Sequence, residues 1–266
     1  MKSESRQENR GVLRSEQILR LLQQTGAVVV EELCEQLNVS IATVRRDLQE
    51  LEDRGLLRRT HGGATAVEPL LYEPFRYDSS FRAQIEKHAG EKRRIAAAAA
   101  DLIQDGETIA LTAGTTTTEV ARSMRNRTGI TVVTNTVNVA MELSQRKGLT
   151  VLVTGGCLRG NWFSLVGPFA IQTMEQMQVD KVFIGVNGIE AEHGLTCHNP
   201  DEAAINRAMV KHARQRIAVA DHSKLGIVVT HLICPIGDVQ LLITDSDASD
   251  EAIAPFLAKG IEVQRV

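Results

Sequence analysis

A glycine followed by four threonines stands between a short apolar segment and a helical pattern. Thr108–Leu111 has the composition of a strand, and Gly114 precedes Thr115, Thr116 and Thr117 at the start of the helical segment. The unpaired N–H groups and the dipole of a helix N-terminus attract an anion such as phosphate, and threonine hydroxyls donate further hydrogen bonds. Threonines here can also cap a helix or fill a turn. The motif alone therefore leaves an anion site and a structural cap as alternatives.

Three more apolar segments end in polar or glycine residues. They are followed by Asn135, by Gly155–Gly156 with Arg159, and by Asp221 with Lys224. The carboxyl edge of an open α/β sheet is where ligands bind, so these residues are expected to converge on one crevice. The two cations can neutralise a phosphate, and the amide and carboxylate can bond sugar hydroxyls. Taken singly, each cation is more often a solvated surface charge.

A second group of candidate residues forms one face of a predicted helix near the N-terminus. The spacing predicts that this helix buries its apolar side chains, Ile41, Val44, Leu48 and Leu51. Ser40 is the predicted N-cap, and the opposite face carries four side chains, namely Thr43, Arg45, Arg46 and Gln49. The N-terminal part of such a helix fits the major groove of DNA, where arginine pairs with guanine.

Basic residues continue into a predicted hairpin. Arg58, Arg59 and His61 lie beside the glycine pair Gly62–Gly63, a position from which a wing contacts the DNA backbone or the minor groove. The competing interpretation is a solvated surface, because nearby acidic side chains balance the arginines, namely Asp47, Glu50, Glu52 and Asp53. Three short helices and a wing can also serve contacts with another protein.

Two kinds of scaffold must position these residues. Helical spacing predicts helices over 14–25, 31–37 and from Ser40 to Gly55, and strands over 56–60 and 64–67 complete a winged helix. Beyond residue 81 an alanine-rich helix over 82–104 leads into alternating strands and helices, which indicates an α/β domain with a mostly parallel sheet. The predicted strands are Thr108–Leu111, Thr131–Thr134, Thr150–Thr154, Lys181–Gly185, Arg216–Ala220 and Gln240–Thr244.

The predicted boundaries follow from the same pattern. A winged helix-turn-helix DNA-binding domain occupies residues 1–67, a linker that contains Pro69 and Pro74 occupies 68–80, and an α/β sensing and oligomerisation domain occupies 81–266. The chain of 266 residues has a net charge of −3 and no long apolar segment or signal sequence, so a cytoplasmic protein without membrane contact is expected. Its four cysteines form no C-x-x-C pair, and neither a metal nor a cofactor is predicted.

The N-terminal part of the chain closely resembles the DNA-binding signature of the DeoR family of bacterial repressors. The resemblance is carried by the segments Val39–Leu48, Leu51–Glu52, Gly55–Arg59 and His61–Ala64. It implies that Ser40, Thr43, Arg45 and Arg46 read operator DNA.

The second half resembles the same family. The motifs are Gly114–Thr117, Val132–Asn135, Thr154–Gly156 with Arg159, Leu165–Gly167, Gly194–Thr196, Glu202–Ala203 and Asp221–Lys224. The resemblance implies a fold similar to ribose-5-phosphate isomerase and a phosphorylated sugar that releases the protein from its operator. It also implies a homo-oligomer, dimer or tetramer, that represses a carbohydrate-utilisation operon. The predicted effector site comprises Gly114, Thr115, Thr116, Thr117, Asn135, Gly155, Gly156, Arg159, Asn187, Glu202, Asp221 and Lys224.

Two positions depart from the family pattern. Thr112 stands where an aspartate is usual, and Asn206 where a lysine is common. The alternative function is a sugar-phosphate isomerase with an appended DNA-binding domain. Isomerisation needs a carboxylate base, but the isomerase's glutamate falls on Asn206 and its paired acids on Gly185–Gly188. A metal sensor built from His193, Cys197 and His198, or from His222 and His231, lacks standard ligand spacing.

Overall fold

The computed structural model describes residues 14–15, 17–19, 21–22, 25–53, 57–66, 79–124, 128–144 and 146–266. The chain divides into two compact units, residues 1–77 and 78–266. Most of the predicted linker, and Gly55 at the predicted end of the third helix, lie outside the described residues. Ser79 and Ser80, which were predicted as linker, begin a helix. No helix in the described ranges is long and apolar enough to cross a membrane.

The N-terminal unit is a winged helix. The described residues between 14 and 25 are helical, and the remaining elements are β1 (Ala27–Val29), α1 (Val30–Leu37), α2 (Ile41–Asp53), β2 (Leu57–Thr60) and β3 (Gly63–Ala66). The three strands form an antiparallel sheet in the order β1-β3-β2. Asn38 ends α1 in the left-handed conformation, and its backbone N–H bonds to Cys34. Ala27–Val29, which lies between the first two predicted helices, supplies the third strand.

The core of this unit confirms the helical spacing at all but one position. Val44, Leu48 and Leu51 of α2 are buried against Ile18 and Leu33. Ile41 was predicted to be buried, and that prediction was wrong, because 49% of it is exposed. It is the first residue of α2 and is absent from the apolar cluster that buries the other three. At a helix end, a position on the apolar face of the helix is therefore not enough to predict that a side chain is buried.

The second unit is an α/β domain. Its helices are α3 (Ser79–Glu86), α4 (Ala89–Asp101), α5 (Thr115–Ser123), α6 (Val137–Leu143), α7 (Pro168–Glu175), α8 (Pro200–Lys211) and α9 (Asp250–Ala258). Its strands are β4 (Thr108–Leu111), β5 (Ile130–Thr134), β6 (Leu149–Val153), β7 (Cys157–Arg159), β8 (Ser164–Val166), β9 (Val179–Gly185), β10 (Gly188–Glu190), β11 (Gly194–Cys197), β12 (Ala213–Val219), β13 (His231–Cys234), β14 (Leu241–Thr244) and β15 (Glu262–Arg265).

Seven parallel strands form the main sheet in the order β15-β14-β12-β9-β4-β5-β6. The predicted fold class, a mostly parallel α/β domain after a winged helix, is confirmed. All six predicted strands belong to this sheet. The sequence analysis missed β15, the hairpin β7–β8 and the antiparallel sheet β10-β11-β13, because their strands are three or four residues long and carry little periodicity.

Helices cover both faces of the sheet. In β9, Val182 and Ile184 belong to one apolar cluster and Phe183 to the other, as alternation along a strand requires. Helices α7, α8 and α9 contribute to the first cluster, and α4, α5 and α6 to the second. A parallel sheet buried on both faces leaves its carboxyl edge as the place where polar side chains can face solvent.

The predicted helix over 82–104 is broken. His88 adopts the left-handed conformation with φ 54°, and the chain forms two helices, α3 and α4, on either side of it. Helical periodicity continues through this point in the sequence, so only the structure reveals the break. The break brings the carbonyl oxygens of Gln84 and Lys87 to the Lys92 ammonium, which donates a hydrogen bond to each.

Candidate functional site

A cavity of about 320 Å³ lies at the carboxyl ends of β4, β9 and β12. Its wall contains Gly185, which ends β9, Ala220, which directly follows β12, and Ala113, which is the second residue after β4. Among the described side chains that line it are three cations, Lys92, Arg159 and Lys224, and two carboxylates, Glu202 and Asp221. A moderately polar cavity with a surplus of one positive charge suits a small anionic ligand.

The threonine loop supplies one wall of this cavity. Gly114 is the N-cap of α5, and no side chain caps the helix, so N–H groups of the first turn have no partner within the helix. Thr115 and Thr116 line the cavity, and their hydroxyls make no hydrogen bond to the described part of the chain. Thr117 and Thr118 instead donate to the Gly114 carbonyl oxygen at 3.0 and 2.7 Å. Two of the four threonines therefore bond within the loop, and the other two line the cavity.

Lys92 is a buried cation in the cavity wall that the sequence analysis did not identify. It is 3% exposed, and its ammonium donates to the Lys87 carbonyl oxygen at 2.7 Å and to that of Gln84. An ammonium has three N–H donors, so one remains for a ligand. Burial lowers the pKa of Lys92, the neighbouring Lys224 adds to the effect, and Asp221 opposes it. The sequence signal was a single lysine ahead of an alanine run, which resembles an ordinary surface position.

Asp221 and Lys224 lie on a short turn after β12. The Asp221 carboxylate accepts from the Ser223 backbone N–H at 3.1 Å and from the Ser223 hydroxyl, so it shapes the turn. The Lys224 ammonium lines the cavity and makes no ion pair with any residue that the structure describes. Among the described residues, Lys224 is thus a cation without an ion-pair partner in the lining of the cavity.

Asp245 holds the same turn through hydrogen bonds to His222. This buried carboxylate accepts from the His222 backbone N–H at 2.7 Å and from the His222 ring at 2.8 Å. Burial alone would raise the pKa of Asp245, but hydrogen bonds from His222 and Asp247 hold it below its ordinary value. His222, Asp245 and Asp247 have ligand atoms within 4.8 Å of one another. Hydrogen bonds within the group already account for the Asp245 oxygens.

Arg159 and Glu202 form an ion pair in another part of the wall. The guanidinium donates to the carboxylate at 2.7 Å, and the Ser164 hydroxyl donates to the same oxygen at 2.7 Å. The charge of Arg159, predicted to neutralise a phosphate, is therefore already balanced. Cys197 lines the cavity beside this pair, and burial raises the pKa of its thiol to about 11, so it stays protonated near neutral pH.

Three asparagines complete the polar lining. Asn187 accepts from the His198 backbone N–H at 3.2 Å, and Asn199 caps α8 by accepting from Asp201 and Glu202 at 3.0 Å. Asn206 is 4% exposed, and its Oδ1 has no hydrogen-bond partner among the residues that the structure describes. Asn206 and Asn187 occupy the positions where the sequence comparison with the isomerase expected carboxylates, and an amide cannot act as a general base.

The structure brings most of the predicted effector residues together. The cavity is lined by Gly114, Thr115, Thr116, Arg159, Asn187, Glu202, Asp221 and Lys224. Four predicted residues lie outside its lining, namely Thr117, Asn135, Gly155 and Gly156. Asn135 is fully buried and donates to the Leu165 carbonyl oxygen at 3.2 Å, while a side chain at Gly156 would come within 2.6 Å of the Val166 carbonyl oxygen. Asn135 and Gly156 therefore have structural roles.

The predicted nucleic-acid face is a separate feature of the N-terminal unit. Arg45, Arg46, Arg58 and His61 are exposed, and these arginines make no ion pair with a described residue. Ser40 and Thr43 are engaged in capping α2, because their hydroxyls lie 2.9 Å apart and the Thr43 N–H donates to Ser40 at 3.2 Å. An exposed arginine pair on the first turns of α2 is suited to a DNA groove.

Two predicted residues of this face bond to each other. The Arg59 guanidinium donates to the Gln49 side chain, and the Arg59 backbone N–H donates to Glu52 at 2.9 Å. Asp47, interpreted from the sequence as a surface counter-charge, is 3% exposed and forms a two-point contact with Arg14. Asp47 therefore stabilises the unit internally and leaves Arg45 and Arg46 without that counter-charge.

Comparisons with known proteins agree with both halves. Residues 14–69 match the DeoR-like helix-turn-helix domain, and residues 87–246 match the DeoR C terminal sensor domain. Among solved structures, a ribose 5-phosphate isomerase A from Methanocaldococcus jannaschii is 17% identical over 54% of this chain and 55% of that chain, with a TM-score of 0.38. That similarity is too low to carry an argument.

Curated relatives align over nearly the full length. The HTH-type transcriptional regulator GlpR of Haloferax volcanii is 37% identical, with 94% of this chain and 96% of the relative covered. The transcriptional repressor AccR of Agrobacterium fabrum is 36% identical over 88% of this chain and 89% of its own length. The HTH-type transcriptional repressor GlcR of Bacillus subtilis is 36% identical, with 86% of each covered. The chain therefore belongs to the DeoR family of transcriptional repressors.

Proposed function

We propose that this chain represses a carbohydrate-utilisation operon in the cytoplasm and leaves its operator when the sensor half binds a phosphorylated sugar. Residues 1–67 hold the DNA, residues 79–266 sense the effector and assemble a homo-oligomer, and 68–78 connect them. Repeated winged helices in an oligomer match repeated half-sites on DNA. Effector binding needs to change the relative stability of two arrangements by only a few kcal/mol to empty the operator.

The observation that carries the effector proposal is the convergence of the threonine loop with two cations. Thr115 and Thr116 line the cavity at the N-terminus of α5, their hydroxyls bond to no residue that the structure describes, and Lys92 and Lys224 line the same cavity. A phosphate dianion accepts hydrogen bonds from backbone N–H groups, hydroxyls and ammonium groups alike. The uncharged amides elsewhere in the lining suit the hydroxyls of a sugar.

The test is a calorimetric titration of the full chain with pentose and hexose monophosphates, inorganic phosphate and the same sugars without phosphate. We expect binding by a sugar monophosphate and by phosphate, and none by the unphosphorylated sugar. Lys224→Ala should weaken phosphate binding by about tenfold or more, because a charge-assisted hydrogen bond is lost. Lys211→Ala, at an exposed lysine at the end of α8, serves as the charge-matched control and should bind normally.

Release from DNA is measured separately. A fragment selected by the protein from a random pool of duplexes should be bound at moderate salt and released by the sugar monophosphate found in the titration. If Lys224→Ala binds the sugar monophosphate and inorganic phosphate as tightly as the unaltered chain does, the phosphate does not contact Lys224. Binding of only an unphosphorylated metabolite would contradict the effector proposal and leave the DNA-binding function intact.

A further inference from the structure

Asn206 has a buried amide oxygen in the cavity wall. It lies on α8 and is 4% exposed, and its Oδ1 accepts no hydrogen bond from any residue that the structure describes. Buried amide oxygens in proteins are nearly always hydrogen-bonded, so each exception calls for a reason. The position of Asn206 in the lining of the cavity makes a ligand the natural source of that partner.

The neighbouring amides do not share this property. The Asn187 oxygen accepts from the His198 N–H, and the Asn199 oxygen accepts from two N–H groups at the start of α8. Both are used to hold the chain together. Asn206 is thus set apart from the other two cavity asparagines as the amide left for something that enters the cavity.

The surroundings of Asn206 indicate the charge of that group. Glu202 lies one helical turn before Asn206 on α8, which places the two on the same face of the helix. Its carboxylate is paired with Arg159 at 2.7 Å, so neither carries an unbalanced charge. The unpaired cation Lys224 lies on a different element, the turn after β12. This part of the lining therefore suits a neutral polar group better than a second phosphate or a carboxylate.

A hydroxyl is the neutral group that matches an amide most completely. It has one O–H donor for Oδ1 and two lone pairs that can accept from Nδ2. We propose that Asn206 is a specificity-determining residue that recognises a hydroxyl of the effector, and that the effector is a polyhydroxylated monophosphate with no second charged group. The inference rests on the proposed function, because it takes the phosphate to be held by the threonine loop and the lysines.

The test compares two probes on the full chain, inorganic phosphate and the sugar monophosphate that binds best. Asn206→Leu keeps the size of the side chain and removes both amide atoms. We expect this substitution to lower the affinity for the sugar monophosphate by about tenfold or more and to leave the affinity for inorganic phosphate within about twofold of its original value. Asn206→Ala should behave in the same way and covers the event that leucine does not fit. Sugar bisphosphates should bind the unaltered chain more weakly than the monophosphate.

Thermal unfolding without ligand separates recognition from a structural role. Because Asn206 makes no protein hydrogen bond through Oδ1, Asn206→Leu should not lower the midpoint temperature. Asn135→Ala is the matched control, since the Asn135 Oδ1 is likewise buried without a partner among the described residues, but its Nδ2 donates to Leu165 and the residue lies outside the cavity lining. It should lower the midpoint and leave the preference for the sugar over inorganic phosphate unchanged.

Each other outcome overturns the inference in a distinct way. Unchanged sugar affinity in both Asn206 variants would mean that no ligand hydroxyl meets the amide, and the proposed function would stand. An equal loss for both probes would mean that Asn206 supports the cavity as a whole. Failure of the unaltered chain to bind either probe would overturn the proposed function, and the inference would fall with it.

Discussion

Thr116 and Thr117 are adjacent in sequence, yet only Thr116 of the two lines the cavity. Thr117 is fully buried and donates to the Gly114 carbonyl oxygen at 3.0 Å, whereas Thr116 lines the cavity without such a bond. The same substitution should therefore affect phosphate affinity at Thr116 and folding stability at Thr117. Valine replaces the hydroxyl by a methyl group and keeps the shape.

We expect Thr116→Val to weaken phosphate binding by about tenfold, the value of one hydrogen bond to a charged group, with little change in stability. Thr117→Val should lower the free energy of unfolding by about 1 kcal/mol and leave phosphate affinity unchanged. Calorimetric titration and thermal unfolding measure the two effects. A loss of affinity in Thr117→Val with no loss in Thr116→Val would reverse the assignment of the loop.

Lys92 predicts a pH dependence of binding. Burial, with a contribution from Lys224, lowers its pKa from the ordinary 10.5, so in the free protein it loses its proton at a lower pH than an exposed lysine does. A phosphate dianion binds the protonated form and favours it. Phosphate affinity should therefore fall as the pH rises through the lowered pKa, in a window that lies below 10.5.

The sign for stability is opposite in the absence of ligand. Because the unfolded chain holds this proton more tightly, the Lys92 contribution to the free energy of unfolding should increase as the pH rises through the same window. Titrations with inorganic phosphate from about pH 8 upward measure the effect on affinity, since phosphate stays doubly charged there. Lys92→Arg remains protonated throughout and should show no such fall in affinity. A fall of equal size in Lys92→Arg would show that Lys92 is not the group that titrates.

The sequence was sufficient for the framework of the fold because its signals there are local. Strand ends after apolar segments located Gly114, Asp221 and Lys224 at the carboxyl edge of the sheet, and the structure places all three in the cavity lining. The helical spacing of Val44, Leu48 and Leu51 likewise identified a buried face. Regular alternation of strands and helices determines which residues follow strands, whatever the tertiary contacts are.

The remainder depends on contacts between distant positions. The Lys92 ammonium bonds to carbonyl oxygens on the other side of the chain turn at His88, and nothing in the periodicity of residues 82–104 marks that turn. Arg159 has the right position for a phosphate ligand, but Glu202, 43 residues later, already balances it. Asn135 also follows a strand, yet it points to Leu165. Hydrogen bonds and ion pairs between residues distant in sequence determine whether such a side chain is available to a ligand, and a single sequence does not reveal these contacts.

Asp47 and Arg14 give a prediction on stability. The carboxylate is 3% exposed and contacts the guanidinium at two points, one of them at 2.8 Å. Removing one partner of a buried ion pair leaves the other uncompensated, so Asp47→Ala should destabilise the winged helix by about 3 kcal/mol. Differential scanning calorimetry of the full chain should show one transition shifted down. The exposed control Glu50→Ala should leave both transitions in place, and a normal midpoint in Asp47→Ala would contradict the pairing.

Arg45 and Arg46 are both exposed near the start of α2, but successive residues diverge by about 100° around a helix. They therefore cannot both point at base edges. Of the variants Arg45→Ala and Arg46→Ala, one should lose about 1–3 kcal/mol of binding free energy for the selected operator and discriminate less between sequences. The other should lower the affinity for all duplexes equally and reduce the salt dependence of binding by about one counterion. Fluorescence anisotropy at several salt concentrations, with the operator and a scrambled duplex, distinguishes the two.

Effector binding provides the internal control for this experiment. Both variants should bind the sugar monophosphate as the unaltered chain does, because their side chains belong to a different compact unit from the cavity. Arg214→Ala removes an arginine of equal charge from an exposed position on β12 and should leave DNA affinity unchanged. An equal loss in Arg214→Ala would mean that net charge alone governs binding. Unchanged affinity in both Arg45→Ala and Arg46→Ala would remove α2 as the DNA-reading element.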